Sequence, residues 1–185
     1  AVTIPLYATS SPAQAQYIIN DASIRYLFVG EQFQYDAAFS VLGMCHSIKQ
    51  LILFDRSIQR DARDTTSIYF DEFVRKGEGF PCNEQVEQRS AEATLDDVAN
   101  ILYTSGTTGE PKGVTLRHEA WQEQFRSHDK CLTTFSDQDI SLCFLPLTHV
   151  FERGWTYVCL HKGAEVCINL RPQDIQTTIK EVRPT

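Results

Sequence analysis

Short runs of apolar residues alternate along this chain with segments whose apolar residues recur at helical spacing. The clearest runs lie at residues 26–29, 51–54 and 98–103. Because apolar residues predominate along each run, without regular alternation, the runs predict strands that are buried on both faces, as in a parallel sheet. The alternation therefore predicts a three-layer α/β fold, with a mostly parallel sheet and helices on both of its faces.

The remaining elements follow from the same patterns. Ser11, Pro12 and Gln14 form the capping box of a first helix. Apolar faces predict later helices around residues 35–42, 121–132, 155–159 and 175–182. Further strands are expected at residues 2–7, 68–70, 142–147 and 166–168. Residues 77–96 are polar and rich in Gly, Glu and Gln, so they predict a long surface connection and a subdomain seam.

Composition excludes several classes of function. A net charge of -7 argues against binding to nucleic acid, which needs clustered Lys and Arg. No apolar stretch approaches the roughly 20 residues that cross a bilayer. None of the six cysteines forms a CxxC pair, which favours reduced structural thiols and a cytoplasmic protein.

The segment that carries chemistry follows the predicted strand at 98–103 and reads YTSGTTGEPKG over residues 103–113. Its glycines allow the backbone to approach a bulky anion, so that consecutive N–H groups can point at phosphate oxygens. The hydroxyls of the segment can donate to phosphate or bind Mg²⁺, and Lys112 supplies a positive charge. The segment therefore predicts a loop that holds a polyphosphate.

Two other phosphate loops do not fit this segment. A Walker loop that began at Gly106 would need a glycine where Pro111 stands and a hydroxyl where Gly113 stands. The dinucleotide motif GxGxxG fails because the glycines are wrongly spaced. An ordinary hairpin turn would not need Lys112 or so many hydroxyls.

The segment resembles, almost letter for letter, the phosphate loop of the adenylate-forming superfamily, which includes acyl-CoA synthetases, peptide-synthetase adenylation domains and luciferases. A second match, LPLTHVFE at residues 145–152, is similar to a downstream motif of that superfamily. With Arg153 it resembles the long-chain fatty acyl-CoA synthetase branch in particular. The resemblance covers essentially the whole chain, which is interpreted as residues 1–185 of the large N-terminal, AMP-binding domain.

The resemblance implies two half-reactions. A fatty acid carboxylate attacks the α-phosphorus of ATP to form an acyl-adenylate and pyrophosphate, and the thiol of CoA then displaces AMP. The implied small molecules are ATP, Mg²⁺, CoA and a fatty acid, with no nucleic acid. So apolar a substrate makes a peripheral membrane contact plausible, although no basic amphipathic helix supports one. The sequence carries no signal of oligomeric state.

The resemblance also implies roles for particular residues. Lys112 would stabilise the departing pyrophosphate, and His149 would lie beside the acyl-adenylate; these two are the catalytic candidates. Thr104 would lie near Mg²⁺. The implied nucleotide-binding residues are Thr104, Ser105, Gly106, Thr107, Thr108, Gly109 and Lys112.

The residues around His149 allow two interpretations. Phe151 and Trp155 would line the acyl channel or belong to the core. Glu152 and Arg153 would form a local ion pair or take part in catalysis.

Several motifs of the superfamily are missing from this sequence. It has no YGxTE-like or TGD-like segment and no mobile C-terminal domain. The chain is therefore expected to be part of a longer enzyme and inactive alone. Two alternatives stay open: an adenylation enzyme that loads another carboxylate onto a carrier-protein thiol, and a non-catalytic nucleotide-binding module.

Overall fold

The computed structural model describes residues 1–104 and 110–185. These residues group into two compact units. The first comprises residues 1–5, 94–104 and 112–185, and the second comprises residues 6–93 with 110–111.

The second unit is built on a parallel sheet of three strands, in the order β1-β2-β3. Its elements along the chain are α1 (Pro12–Asp21), β1 (Tyr26–Val29), α2 (Gln32–Val41), a 3-10 turn (Leu42–Met44), β2 (Gln50–Leu53), β3 (Ser67–Tyr69), α3 (Phe70–Arg75) and α4 (Asn83–Glu92). Leu51 of β2 pairs with Leu27 of β1 on one side and with Ser67 of β3 on the other.

Helices contact both faces of this sheet, because successive side chains of a strand point in opposite directions. Val29 packs with Tyr35 and Ala38 of α2 in the core of the unit. Phe28, its neighbour, instead contacts the ring of Phe73 in α3. The central strand is fully buried along Leu51, Ile52 and Leu53. Each such side chain contributes about 1.5–3 kcal/mol by leaving water.

Helix α1 begins where the sequence predicts it. Ser11 Oγ accepts the N–H of Gln14, whose own side chain accepts the N–H of Ser11. Ala15, Ile18 and Ile19 form the buried face of the helix. Both the capping box and the apolar face are confirmed.

The first unit contains two pairs of strands and three α-helices among its described residues. Its elements are β4 (Val98–Thr104), β5 (Lys112–Arg117), α5 (His118–Cys131), β6 (Ile140–Cys143), α6 (Val150–Lys162), β7 (Glu165–Ile168), a 3-10 turn (Pro172–Asp174) and α7 (Ile175–Val182). Strands β4 and β5 are antiparallel, whereas β6 and β7 are parallel. With the parallel sheet of the second unit, this arrangement confirms the predicted α/β class.

Two predicted strands are wrong or too long. Residues 2–7 form a single bridge, from Thr3 to Asn100, because Pro5 has no N–H to donate to a ladder. The strand predicted at 142–147 ends at Cys143. Phe144 and Leu145 continue the apolar run but are exposed, and they lead into a loop with Pro146.

The predicted connection at 77–96 also needs correction, because it contains α4. No residue of α4 is buried, so the helix lacks the apolar periodicity that would have revealed it. Its Glu, Gln, Arg and Ala residues are strong helix formers, and Gln88 Nε2 donates to Glu92 Oε1 at 2.8 Å one turn later. The change between the two units at residues 93 and 94 falls within this range. A subdomain seam there stays a prediction.

Two further properties of the chain bear on the predictions. Each of the six cysteines is free, and Cys45, Cys143 and Cys159 are buried. Among the described residues, no helix has both the length and the apolar character that a membrane span requires.

Candidate active site

The hairpin of β4 and β5 carries two of the predicted site residues. Thr104 is the last residue of β4 and pairs directly with Lys112, the first residue of β5. Directly opposed residues of an antiparallel pair project from the same face, so both side chains lie on one face of the hairpin. Both residues are exposed. A hydroxyl and an ammonium group are thus available to an anion at this end of the hairpin.

The other predicted nucleotide-binding residues lie outside the described residues. They are Ser105, Gly106, Thr107, Thr108 and Gly109. Their roles stay predictions, as do those of Thr104 and Lys112.

The residues of strand β4 that precede this exposed end are buried and fixed by packing and a hydrogen bond. Leu102 and Tyr103 are buried, and Asn100 is 2% exposed. The Asn100 side chain accepts a hydrogen bond from Trp121 Nε1 in α5 at 2.9 Å. Sequence reasoning missed this anchor, although a polar residue in the middle of an apolar run was the available signal.

Gly113 has a different role from the one predicted for the glycines of the segment. It lies opposite Tyr103 within β5. A β-carbon at this position would lie 2.9 Å from Ile101 Cγ2 and 3.1 Å from Tyr103 Cζ. Gly113 is therefore required by side-chain packing across the hairpin, which the spacing of the motif could not reveal.

His149 is the N-cap of α6 and is exposed. Its Nδ1 accepts the N–H of Phe151 at 3.3 Å. An accepting Nδ1 is unprotonated, so in the neutral ring Nε2 carries the hydrogen and can donate to a ligand. The backbone N–H of His149 donates to the Pro146 carbonyl at 2.9 Å, which closes the turn before the helix.

Arg153 and Glu152 do not form the local ion pair that was one of the two interpretations of these residues. Arg153 is 8% exposed; its Nε donates to the Leu147 carbonyl at 2.8 Å and its Nη1 donates to the Tyr157 hydroxyl at 3.1 Å. Adjacent residues of a helix point about 100° apart, so the two side chains diverge.

Glu152 is 3% exposed and lies beside the thiol of Cys143. Burial, together with a hydrogen bond to Glu152, raises the pKa of Cys143 to about 11. The thiol therefore stays protonated at neutral pH. Glu152 Oε1 is itself buried without a hydrogen-bond partner.

The two aromatic residues predicted for the acyl channel differ in environment. Phe151 is 66% exposed. Trp155 is partly buried; its Nε1 donates to Ser141 Oγ at 2.8 Å and its ring packs against Phe135. Trp155 thus belongs to the core of the first unit, and Phe151 remains free to contact a substrate.

Protein side chains offer little to a metal ion in the described part of the chain. No group of three or more His, Cys, Asp or Glu residues there could hold one. Mg²⁺ commonly keeps several waters and binds phosphates together with few protein ligands. The exposed hydroxyl of Thr104 is compatible with such a role for an ion that arrives with a nucleotide.

A cleft of about 610 Å³ lies in the second unit. It is lined by Tyr35, Asp36, Phe39, Ser40, Gln59, Arg60, Asp61 and Arg63. None of the predicted site residues contributes to it.

Comparison with known protein families identifies the family of the chain. The family model described as "AMP-binding enzyme" matches residues 1–185, the whole chain. The chain belongs to the AMP-binding enzyme family. This confirms the resemblance to adenylate-forming enzymes that the phosphate-loop segment indicated.

Curated relatives of this AMP-binding chain are acyl-CoA and CoA ligases. "Probable CoA ligase CCL6" of Humulus lupulus is 31% identical over 173 residues, which are 88% of this chain and 25% of the relative. Long chain acyl-CoA synthetase 4 of Arabidopsis thaliana is 26% identical over an alignment of 198 residues, which covers 98% of this chain and 28% of the relative. Long-chain-fatty-acid–CoA ligase ACSBG2 of Rattus norvegicus is 28% identical over an alignment of 191 residues, which also covers 98% of this chain and 28% of the relative. The AMP-binding chain thus spans about a quarter of their length.

Solved structures show that the fold is shared. The anthranilate CoA ligase AuaEII aligns with a TM-score of 0.78 at 20% identity, over 100% of this chain and 34% of that one. The N-terminal domain of FACL13 from Mycobacterium tuberculosis aligns with a TM-score of 0.70 at 21% identity, over 99% of this chain and 42% of that one. The AMP-binding chain therefore has the fold of the N-terminal part of adenylate-forming enzymes.

Proposed function

We propose that the protein to which this chain belongs is an ATP-dependent long-chain fatty acid–CoA ligase. The observation that carries the proposal is the pairing of Thr104 with Lys112 at the exposed end of the β4–β5 hairpin, on either side of the glycine- and threonine-rich segment. Relatives named as long-chain acyl-CoA synthetases support the substrate class. So does the HVFER sequence at residues 149–153.

In the first half-reaction the fatty acid carboxylate forms a bond to the α-phosphorus of ATP, and the bond to pyrophosphate breaks. Lys112 holds the charge that develops on the departing pyrophosphate, and the Thr104 hydroxyl donates to phosphate. Mg²⁺ bound with the nucleotide would neutralise part of the phosphate charge. His149 Nε2 donates to an oxygen beside the reacting carboxylate. In the second half-reaction the CoA thiolate bonds to the acyl carbon and AMP leaves.

The full-length protein should exchange labelled pyrophosphate into ATP only when a fatty acid is present. Lys112→Ala should slow this exchange by about 100-fold, since loss of one preorganised charge or donor typically costs a factor of that size. Lys180→Ala is the matched control, because Lys180 is an exposed lysine of α7 outside the proposed site. It should leave exchange unchanged.

Equal exchange rates in the Lys112→Ala variant and the wild type would remove Lys112 from the mechanism. A screen of short, medium and long acyl chains, with CoA product measured by mass spectrometry, tests the substrate class. Transfer to a carrier-protein thiol but not to CoA would favour a carrier-loading adenylation enzyme. Binding of MgATP without release of pyrophosphate would favour a binding module.

A further inference from the structure

The loop of residues 144–149, here called the His149 loop, joins β6 to α6 and carries His149 at its end. Its apolar side chains do not bury it: Phe144, Leu145 and Leu147 are all exposed. Packing of side chains is thus a weak constraint on this loop. Besides the cap that His149 itself makes to Phe151, polar contacts of the loop backbone therefore help to fix the position of His149.

Arg153 makes such a contact from the first turn of α6. Its Nε donates to the Leu147 carbonyl at 2.8 Å, two residues before His149. A charged donor makes a stronger hydrogen bond than a neutral one, and the bond is shielded because Arg153 is 8% exposed. The backbone N–H of Arg153 also donates to the His149 carbonyl at 3.2 Å. One residue therefore holds the backbone on both sides of Thr148.

The guanidinium of Arg153 is in turn held by Tyr157. Nη1 donates to the Tyr157 hydroxyl at 3.1 Å, and the guanidinium carbon lies 5.9 Å from the centre of the ring. The Tyr157 ring packs edge-on against Trp121 at 5.0 Å. Trp121 is bonded to Asn100 in β4. A continuous series of contacts thus runs from the strand that leads into the phosphate-loop segment to the carbonyl of Leu147.

We propose that Arg153, supported by Tyr157, is a positioning residue that fixes His149 relative to β4. The proposal rests on the ligase function proposed above, in which His149 contacts the acyl-adenylate. Glu152 does not share this role, because its carboxylate lies against Cys143. Arg153 needs no contact with the substrate; it acts through the backbone of the His149 loop.

Steady-state pyrophosphate exchange by the full-length protein tests the role of Arg153. Arg153→Lys keeps the charge but loses the planar fork that reaches Leu147 and Tyr157 together. We expect kcat to fall by about 10- to 100-fold, since a displacement near 1 Å at a reacting group can cost that much. KM for ATP and for the fatty acid should change less. Tyr157→Phe removes only the hydroxyl and should give a smaller loss of kcat.

Combination with His149→Ala separates positioning from other roles. If Arg153 acts through His149, Arg153→Lys should cause no further loss of kcat in the His149→Ala protein. Tyr69→Phe is the matched control, because it also deletes a tyrosine hydroxyl that makes a hydrogen bond, here to the Ile58 carbonyl at 2.9 Å within the second unit. It should leave kcat unchanged. Additive losses from Arg153→Lys and His149→Ala would overturn the proposal, as would an unchanged kcat in both Arg153→Lys and Tyr157→Phe.

Amide hydrogen exchange provides a readout that needs no activity. Arg153→Lys and Tyr157→Phe should accelerate exchange in a peptide that covers residues 144–150, and Tyr69→Phe should not. Unchanged exchange in that peptide would overturn the positioning role, even in an active enzyme. If the wild type shows no pyrophosphate exchange, the ligase function fails, while the amide measurement still decides whether Arg153 holds the loop.

Discussion

Tyr35 shows how one buried side chain can link two segments of the second unit. It is 2% exposed, and its hydroxyl donates to Asp64 Oδ2 at 2.8 Å. The same hydroxyl accepts the N–H of Asp61 at 2.8 Å. Asp64 also accepts the N–H groups of Thr66 and Ser67. Helix α2 is thereby tied to the loop that leads into β3.

This environment predicts an alkaline loss of stability. Burial first, and then the hydrogen bond to Asp64, raise the pKa of Tyr35 to about 12 from its ordinary value of 10.0. The neutral form is therefore favoured by the folded state, and its contribution is complete below pH 10. As pH rises from about 10 to 12, the Tyr35 hydroxyl loses its proton in the unfolded chain but keeps it in the folded protein, which favours unfolding. The free energy of unfolding should fall by about 2–3 kcal/mol over that range.

Urea denaturation at several pH values checks this expectation. Tyr35→Phe should lower the free energy of unfolding by about 1–3 kcal/mol near neutral pH, because Asp64 and the Asp61 N–H lose a partner. The substitution should also remove the part of the decrease in the free energy of unfolding above pH 10 that is due to Tyr35. Tyr7→Phe, which deletes an exposed hydroxyl, is the control. An equally steep alkaline loss in Tyr35→Phe and in the wild type would contradict the assignment.

Among the elements, the β4–β5 hairpin matters most for the proposed chemistry. Its register places Thr104 opposite Lys112, and Gly113 follows immediately. Because a β-carbon at Gly113 would lie too close to the side chains of Ile101 and Tyr103, a larger residue there would displace those side chains or the strand that carries it. The third glycine of the motif thus preserves the hairpin that presents Lys112.

Gly113→Val should therefore destabilise the protein and impair its activity together. Overpacking typically costs about 1–3 kcal/mol, and the shifted strand would move Lys112. Thr115→Val places the same side chain two residues along β5, where residue 115 is exposed. This control variant should lose little stability and little activity. Denaturation and pyrophosphate exchange of the full-length variants measure the two effects, and wild-type values for Gly113→Val would refute the packing role.

At the scale of the whole molecule, the chain covers about a quarter of its curated relatives, here 25% and 28% of two of them. Its sequence contains no YGxTE-like or TGD-like segment, and the resemblance described above implies that such segments would supply adenine and ribose contacts. Substrate positioning by several groups at once accounts for much of enzymatic rate enhancement.

We therefore expect the isolated 185-residue chain to form no acyl-CoA, and we expect the full-length protein to form it if the proposed ligase function is correct. Mass spectrometry after incubation with MgATP, CoA and a long-chain fatty acid measures the product of each. The full-length Lys112→Ala variant provides a low-activity reference. Detectable acyl-CoA formation by the isolated chain, above the level of a reaction without protein, would contradict this expectation.

Local patterns were sufficient for much of the fold. Three patterns depend only on neighbouring residues or on burial. They are the capping box at Ser11, the buried run at Leu51 and the Gly–Thr segment followed by Lys112. These patterns predicted α1, the central strand and the family. Helix α4 escaped prediction because it buries no side chain; residue propensity and a hydrogen bond between Gln88 and Glu92 support it instead of an apolar face.

The tertiary structure alone decided which partner each buried side chain contacts. Nothing local indicates that Trp121 donates to Asn100 or that Gly113 makes room for Ile101 and Tyr103. Arg153 had a plausible partner next to it in Glu152, yet its guanidinium reaches Leu147 and Tyr157 instead. The physical reason is that burial makes each polar group take whichever partner the packed helices and strands bring within reach.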